Sequence, residues 1–524
     1  MYLQGTPLSR PIALSELLEI GRSKKPHALA MRSEVRNWTW QQLEETSNRL
    51  ASAYLDLGLQ SGDRIASLMP NRPASVVHYL ACIKAGLVAT PLNYRYTPNE
   101  IDHALEVSDA SLFVHHGERS HDVQACRRVG GLRCGVVAYG TPQDCGYEAL
   151  LAQGDPAATF THTDSQAPAL IFFTSGSTGK PKGVTHSREA LGWILASVQS
   201  ALQLSPDDVV FPGSSLSHMA ATIFSLACLV AGGQLAVPRG SHPDELVPLF
   251  RNVCPTVLFM LPAALHMMIA DPRLKKEDFS SIRVCFVGGD KLSADLEDQF
   301  IRLVGRPIEE GYGMTEIGNA TLLPRDAPFR LGSLGKPCPG YEFSIRNEQG
   351  QPVPRGEAGR VWVRFPGNMI GYWNNPQATA EALVDGWLDT GDIMAADDEG
   401  YLWFKGRKKQ IIVHDGSNIC PQDVEVAVAA HPAVESVGVV GVHDLIHGEN
   451  VLAYVKIKPS FAAPSAAELI QVARQQVGYK APEEIRFLSE MPLTATGKVD
   501  RLRLQQMTED HAHQMRDDLP RNSE

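Results

Sequence analysis

At 524 residues the chain is too long for one hydrophobic core, so two or more domains are expected. Hydrophobic residues make up 44% and charged residues 20%, a soluble globular mixture. The formal net charge of -11 argues against a general binder of nucleic acid or anionic membrane, while leaving room for a local basic patch that holds phosphates.

Nine cysteines occur with no CxxC pair, which speaks against a zinc ribbon and a disulfide scaffold and fits a reducing, cytoplasmic compartment. Met1–Arg10 has no apolar signal core, and Arg521–Glu524 matches no peroxisomal or retention address. In chain order, 64–69 reads as a strand, 74–85 as a helix ended by Gly86, 88–92 as a strand, 99–107 as a helix capped by Thr97 ahead of Pro98, and 111–115 as a strand. This alternation predicts a mostly parallel sheet covered by helices.

The segment 78–86, HYLACIKAG, resembles 224–232, FSLACLVAG, and a short strand and a proline (Pro91, Pro238) follow each. Either the chain holds two related α/β halves, or two buried helices have converged by chance. The charge-free run 219–237 has nearly the length of a short membrane span, but Gly232-Gly233 splits it into a helix and a strand of a buried core. Strands are expected at 256–260, 283–287 and 307–310. From about Leu331 glycine and proline become frequent and β-rich runs such as 359–363 suggest a small β-subdomain. After Gly406 a compact α+β pattern begins, with a helix at 466–476 and a polar, frayed final dozen residues.

The apolar strand 169–173 runs directly into Thr174, Ser175, Gly176, Ser177, Thr178, Gly179, Lys180, Pro181, Lys182 and Gly183. Such a loop aims backbone N–H groups, hydroxyls and ammonium charges at a polyphosphate. It is not a Walker loop: only two residues separate Gly176 from Gly179, and Pro181 prevents a helix from starting at Lys180.

With this loop, the sequence resembles the acyl-adenylate-forming superfamily of acyl-CoA and aryl-CoA synthetases, luciferases and peptide-synthetase adenylation domains. The resemblance covers nearly the whole chain. It implies an α/β fold: an N-terminal AMP-binding domain (1–406) of two related α/β subdomains plus a β-barrel-like subdomain, then a small mobile α+β C-terminal domain (407–524). Gly311, Tyr312, Gly313, Met314, Thr315 and Glu316 match the second signature; Tyr312 would lie against adenine, Thr315 would touch the α-phosphate and Glu316 would hold Mg²⁺. Gly288 and Gly289 resemble the segment on the other face of the adenine. In 387–392 (WLDTGD), Asp392 would bind the ribose; the family usually has Arg or a similar residue where Asp389 stands. Arg407 would help hold the ribose, Lys409 would be the hinge pivot, and Gly416 and Ser417 would approach the pantetheine arm of CoA. In 492–501 (PLTATGKVDR), Lys498 would reach the reacting carboxylate and α-phosphate.

These residues imply that a carboxylate attacks the α-phosphorus of ATP, expels pyrophosphate, and leaves an acyl-AMP open to a thiol. His218, Met219, Ala220 and Ala221 fall in the segment that would line the acyl pocket. No acidic residue lies from Pro212 to Phe224 to pair with an ammonium, so an amino acid is disfavoured and a medium-chain or aryl acid is expected. His218 reads equally as a core histidine. The expected partners are ATP, the acid and CoA, with no nucleic acid and no membrane insertion; the oligomeric state stays open, a homodimer included. A carrier-protein acceptor is the alternative to CoA, since 421–425 resembles carrier-loading enzymes; a luciferase-like oxygenase and a non-catalytic ATP-binding regulator are the others.

Overall fold

The structure is a computed structural model of the chain, and it describes all residues except 141–145, 162–163, 175–180, 241, 289–291, 293, 408–409, 415–416, 445–447, 495–496 and 518–524. Two compact units emerge. Unit 1 comprises Met1–Ile345, Trp362–Thr390 and Ala396–Trp403; unit 2 comprises Arg346–Val361, Gly391–Ala395 and Phe404–Glu524.

Unit 1 is built on two sheets. An antiparallel pair, β1 (Leu29–Arg32) and β2 (Asn37–Thr39), precedes the other strands of these two sheets and ends up at the edge of the second, while Tyr2–Gln4 pairs with Glu342–Arg346 in a separate sheet. The first sheet follows from β3 (Arg64–Leu68), β4 (Val88–Pro91), β5 (Leu112–His116), β6 (Val136–Tyr139), β7 (Pro168–Thr174) and β8 (Lys182–Ser187), in the order β8-β7-β4-β3-β5-β6 with Gly371–Tyr372 outside β8. The second contains β9 (Val209–Gly213), β10 (Gln234–Ala236), β11 (Val257–Met260), β12 (Val284–Val287) and β13 (Glu309–Glu310), in the order β13-β12-β11-β9-β10-β1-β2.

The two sheets repeat one plan. Parallel order β4-β3-β5-β6 in the first matches parallel order β10-β9-β11-β12 in the second. Beside β4 lies the antiparallel pair β7/β8, and beside β10 the antiparallel pair β1/β2. The similar segments at 78–86 and 224–232 occupy equivalent places. They fall in α1 (Pro73–Ala85), which joins β3 to β4, and in a helix at Met219–Val230, which joins β9 to β10. Both helices are buried nearly all round, which a helix without a polar face requires. Both are followed by glycines in the left-handed region, Gly86 at φ +71° and Gly232 at φ +75°. The helix α2 (Pro98–Ser108) begins with a full capping box between Thr97 and Glu100. Helix α3 (Arg188–Leu202) packs on the Met219–Val230 helix, hereafter α4. Thus the run 219–237 is a twelve-residue helix and a short strand; among the described residues no helix is long and apolar enough to cross a membrane.

After β13, β14 (Gly313–Met314) and β15 (Gly318–Asn319) form a tight antiparallel hairpin. Two longer strands, β16 (Trp387–Ala396) and β17 (Leu402–Arg407), pass through the boundary of the units. The rest of unit 2 is a sheet of β18 (Ile412–His414), β19 (Ser417–Ile419), β20 (Val434–Asp444), β21 (Gly448–Ile457) and β22 (Glu484–Phe487), ordered β19-β18-β21-β20 with β22 parallel beside β21. Alternation along its strands sorts the side chains to two faces. Val439, Val451 and Val455 pack with α5 (Pro421–Ala429) and α6 (Ala466–Val477), while Val440, Leu452 and Tyr454 pack with Leu504 of α7 (Arg501–Asp517). α7 continues to Asp517, into the final dozen residues expected to be frayed, and residues 518–524 lie outside the described residues. Leu504 is fully buried in the first turns of α7, and the Thr508 hydroxyl lies 2.9 Å from the Tyr454 hydroxyl, so one face of a polar helix is anchored.

Candidate active site

Four parallel strands of the second sheet end on one line. The register pairs Gly213 with Met260, Met260 with Val287, and Val287 with Glu310. The segments that leave these strand ends, including 214–221, Gly288 and Gly311–Tyr312, therefore emerge at the same carboxyl edge, where open α/β sheets bind ligands. Gly311 is obligatory there: a Cβ would lie 2.5 Å from both the Phe286 ring and the Thr321 carbonyl oxygen. Gly288 is less confined, with a Cβ position 3.5 Å from the Phe286 ring. Phe286 stacks on Phe259 (centroids 5.5 Å, planes 22° apart), and Phe224 closes on Phe259 at 4.8 Å, giving this edge a rigid aromatic base. Tyr312 is buried, and its backbone is locked by its N–H donating to Thr321 Oγ1 at 2.9 Å and its carbonyl accepting from Ala320 and Thr321.

The acyl-pocket candidates lie at the start of α4. His218 occupies the N-cap position, half-buried rather than in the core, with Met219 and Ala221 buried and Ala220 partly exposed. The core alternative for His218 is thereby set aside.

Thr315 and Glu316 lie at the bend of the β14–β15 hairpin. Gly313 and Met314 pair with Asn319 and Gly318, and a Cβ on Gly313 would come within 2.5 Å of the Gly318 carbonyl. Two side chains from the first sheet's edge hold the bend. His186, on β8 and fully buried, donates from Nε2 to the Thr315 carbonyl at 2.7 Å. Burial pushes its imidazole down to about 4, so the ring is neutral at physiological pH. Tyr372 donates its hydroxyl to Glu316 Oε1 at 2.8 Å, and the Met369 N–H reaches the Glu316 carbonyl at 2.7 Å. Burial and the Glu316 carboxylate hold the Tyr372 phenol well above its ordinary range, so it remains a donor. Lys182 Nζ stands 4.9 Å from the Tyr372 ring centroid, and Lys182 pairs with Thr174 in the last rung of β7 and β8. The expected phosphate loop thus links two antiparallel strands rather than a strand and a helix. Its residues Ser175, Gly176, Ser177, Thr178, Gly179 and Lys180 lie outside the described residues, as do Gly289, Lys409 and Gly416.

In unit 2, Asp392 on β16 is fully buried and accepts from Arg407 Nε of β17 at 2.8 Å. Ser417 opens β19 opposite His414 of β18. Lys498 is exposed on a tight turn closed by the Thr494 N–H to the Lys498 carbonyl at 2.7 Å, with Gly497 at φ +83°. Three residues on, Arg501 pairs with Glu425 Oε2 of α5 at 2.5 Å, and Glu425 Oε1 accepts from the Val439 N–H of β20 at 2.8 Å. The base of the Lys498 turn is thereby tied to the core of its unit.

His186 and Tyr372 were not singled out from the sequence, and Glu425 only as part of 421–425, not for its bond to Arg501. No local pattern marks them, since each acts on a partner far along the chain: 129 residues for His186 and Thr315, 56 for Tyr372 and Glu316, 76 for Glu425 and Arg501.

Comparison with known proteins identifies the family. Residues 19–373 match the family model for the AMP-binding enzyme, and residues 423–498 match the AMP-binding enzyme C-terminal domain. A feruloyl-CoA synthase of Amycolatopsis is 32% identical over 487 residues, 90% of this chain and 94% of that enzyme. An indoleacetate–CoA ligase of Aromatoleum aromaticum is 33% identical over 496 residues, 93% of this chain and 96% of its own length. The solved structure of a benzoate CoA ligase from Burkholderia xenovorans superposes with a TM-score of 0.85 at 27% identity, covering 94% of this chain and 99% of that one. With the paired sheets, the hairpin signature and both family models in agreement, the chain belongs to the AMP-binding enzyme family, the ATP-dependent, AMP-forming ligases.

Proposed function

We propose that this chain is an acid–CoA ligase that activates a medium-chain or aryl carboxylic acid as acyl-AMP and passes the acyl group to the thiol of CoA. The observation that carries the reading is the Thr315–Glu316 bend, fastened by His186 and Tyr372 to the strand edge from which the hydroxyl- and glycine-rich loop departs. A carboxylate and a triphosphate are both anions, so the first half-reaction needs positive charge and oriented donors where they meet. Lys182 and the 174–183 loop are suited to the phosphates, Thr315 to the α-phosphate, and Tyr312 to the adenine. Asp392, oriented by Arg407, is suited to the ribose hydroxyls.

Glu316 fits a Mg²⁺ ligand: it is a buried carboxylate oriented by the Tyr372 hydroxyl at Oε1, and Mg²⁺ characteristically takes one or two carboxylates together with substrate phosphates. Bound there with ATP, the ion would neutralise phosphate charge. Lys498 supplies a further cation to the carboxylate and α-phosphate as pyrophosphate leaves. In the second half-reaction the CoA sulfur attacks the acyl carbon and AMP departs. We assign Gly416 and Ser417 to the pantetheine arm and Lys409 to the pivot at which the C-terminal domain changes roles. Relatives named for CoA favour CoA over a carrier protein as acceptor. The free thiols among the described cysteines suit a reducing compartment such as the cytoplasm.

Acid-dependent exchange of pyrophosphate into ATP across a panel of carboxylates, with CoA consumption followed in parallel, tests the reading. Exchange with aryl or medium-chain acids and stoichiometric thioester formation are expected. Exchange with amino acids only, or thioester formed on a carrier protein but not on free CoA, would overturn it.

A further inference from the structure

The turn that presents His218 is held by the other half of unit 1. Asn71, in the link between β3 and α1, donates from Nδ2 to the Ser214 carbonyl at 2.7 Å and accepts at Oδ1 from the Leu216 N–H at 2.7 Å. One side-chain amide thus imitates a rung of β-sheet. The Leu216 carbonyl in turn accepts from the Tyr79 hydroxyl of α1 at 2.5 Å and from Thr222 Oγ1 at 2.7 Å. Asn71, Tyr79, Ser214 and Leu216 are all buried, so water does not replace these bonds if they are lost. Behind the turn Ser67, Ser75, Tyr79, Leu216 and Ser217 line a cavity of only about 10 Å³. The hydrogen bonds of Asn71 and Tyr79 set the position of the turn's backbone.

We propose that Asn71 is a positioning residue for acid recognition, setting the 214–218 turn and with it His218 against the bound acid. The inference rests on the reading of 212–224 as the acid-binding segment. The side chain of Asn71 bonds to the backbone of the turn and so acts through it, and a displacement of about 1 Å suffices to spoil the fit of a small substrate.

Pyrophosphate exchange with an acid that the wild-type protein activates, measured as separate KM values for acid and for ATP, provides the test. Asn71→Ala is expected to raise the acid KM by about tenfold, the equivalent of a lost buried hydrogen bond, with the ATP KM within about twofold of wild type, and to flatten the preference among acids. Asn71→Asp keeps an acceptor for the Leu216 N–H but sets a carboxylate oxygen against the Ser214 carbonyl, so its acid KM rises at least as far as that of Asn71→Ala. Tyr79→Phe gives a smaller rise because Thr222 still serves the Leu216 carbonyl. If Asn71→Ala does not fold, Asn71→Asp and Tyr79→Phe decide. Acid KM values equal to wild type in the folded variants, or an ATP KM that climbs in parallel, would overturn the inference while leaving the ligase reading intact. A wild-type protein that exchanges pyrophosphate with no acid brings down both.

Discussion

The Tyr372 hydroxyl donates to Glu316 Oε1 at 2.8 Å, and the Lys182 ammonium stands 4.9 Å from the centroid of the same phenol ring. The cation polarises the ring and strengthens the hydroxyl as a donor. A single tyrosine therefore connects the mouth of the phosphate-loop candidate to the carboxylate proposed to hold the metal. Its neighbours complete the connection, since Gly371 and Tyr372 pair with Thr185 and Val184 of β8.

Tyr372→Phe keeps the ring and removes the bond. A hydrogen bond to a charged group contributes about 1.5 to 3 kcal/mol, so the affinity for ATP with Mg²⁺ is expected to fall roughly tenfold or more. Calorimetric ATP binding with Mn²⁺ or Mg²⁺ checks this without turnover. Unchanged affinity would show that Glu316 needs no such support.

Lys498→Ala separates charge from stability. The residue is exposed and its turn is made by backbone bonds of Thr494 and Gly497, so the thermal midpoint stays within about 1 °C of wild type, as for other surface changes. Adenylation should slow by on the order of a hundredfold or more. Thioester formation from preformed acyl-AMP should persist, and rapid-quench measurement of the two half-reactions tells them apart. Equal loss in both would refute the assignment of Lys498 to the first step.

The doubled α/β plan was legible as one of two readings, because burial leaves an imprint: 78–86 and 224–232 lack polar faces and end at glycines that adopt positive φ, features that two unrelated buried helices would share. The signature 311–316 was legible as a motif, but its shape was not. Gly311 is fixed by Phe286 and the Thr321 carbonyl, and the bend by His186 and Tyr372, contacts that exist only once two sheets have folded. The strand after the phosphate loop was also missed. Lys182–Ser187 is buried along nearly its whole length, so it shows no alternation of polar and apolar residues, and its partner in register is β7 across the loop. The polar final helix concealed its anchor, Leu504, among charges.

Two buried histidines predict acid sensitivity. His78 of α1 lies 2.9 Å from the Tyr54 hydroxyl, and burial lowers both it and His186 to about 4, against about 6.5 in the unfolded chain. Between pH 6.5 and 4 the unfolded chain takes up protons that the folded protein refuses. Stability is therefore lost as pH falls through that window, by about 1.4 kcal/mol per pH unit for each histidine. His186→Gln should be less stable than wild type at pH 7.5, yet lose stability less steeply on acidification, by about that slope. Urea unfolding at pH 7.5, 6 and 5 measures the difference, and parallel curves would mean that His186 does not resist protonation.

Glu297 predicts the opposite trend. It lies in the helix Ala294–Val304, 2% exposed, with Oε1 accepting the Ile308 N–H at 3.0 Å and Oε2 without a partner among the described residues. Burial foremost, with repulsion from Glu310 and Asp298, raises its carboxyl to about 7 despite the bond from Ile308. The folded value exceeds the unfolded one, so the folded protein holds this proton where the unfolded chain has released it. Stability from this group is complete below about pH 4.5 and is lost as pH rises through about 7. Glu297→Gln retains an acceptor for Ile308 and abolishes the charge. It should stabilise the protein by about 1 to 2 kcal/mol at pH 8, the larger ionisation penalty being offset by the unpaired amide N–H₂. At pH 5 the two proteins should unfold together, because Glu297 is then protonated in the fold. A thermal midpoint at pH 8 no higher than that of wild type would show that the carboxylate is solvated after all, and that the Ile308 N–H alone governs its charge.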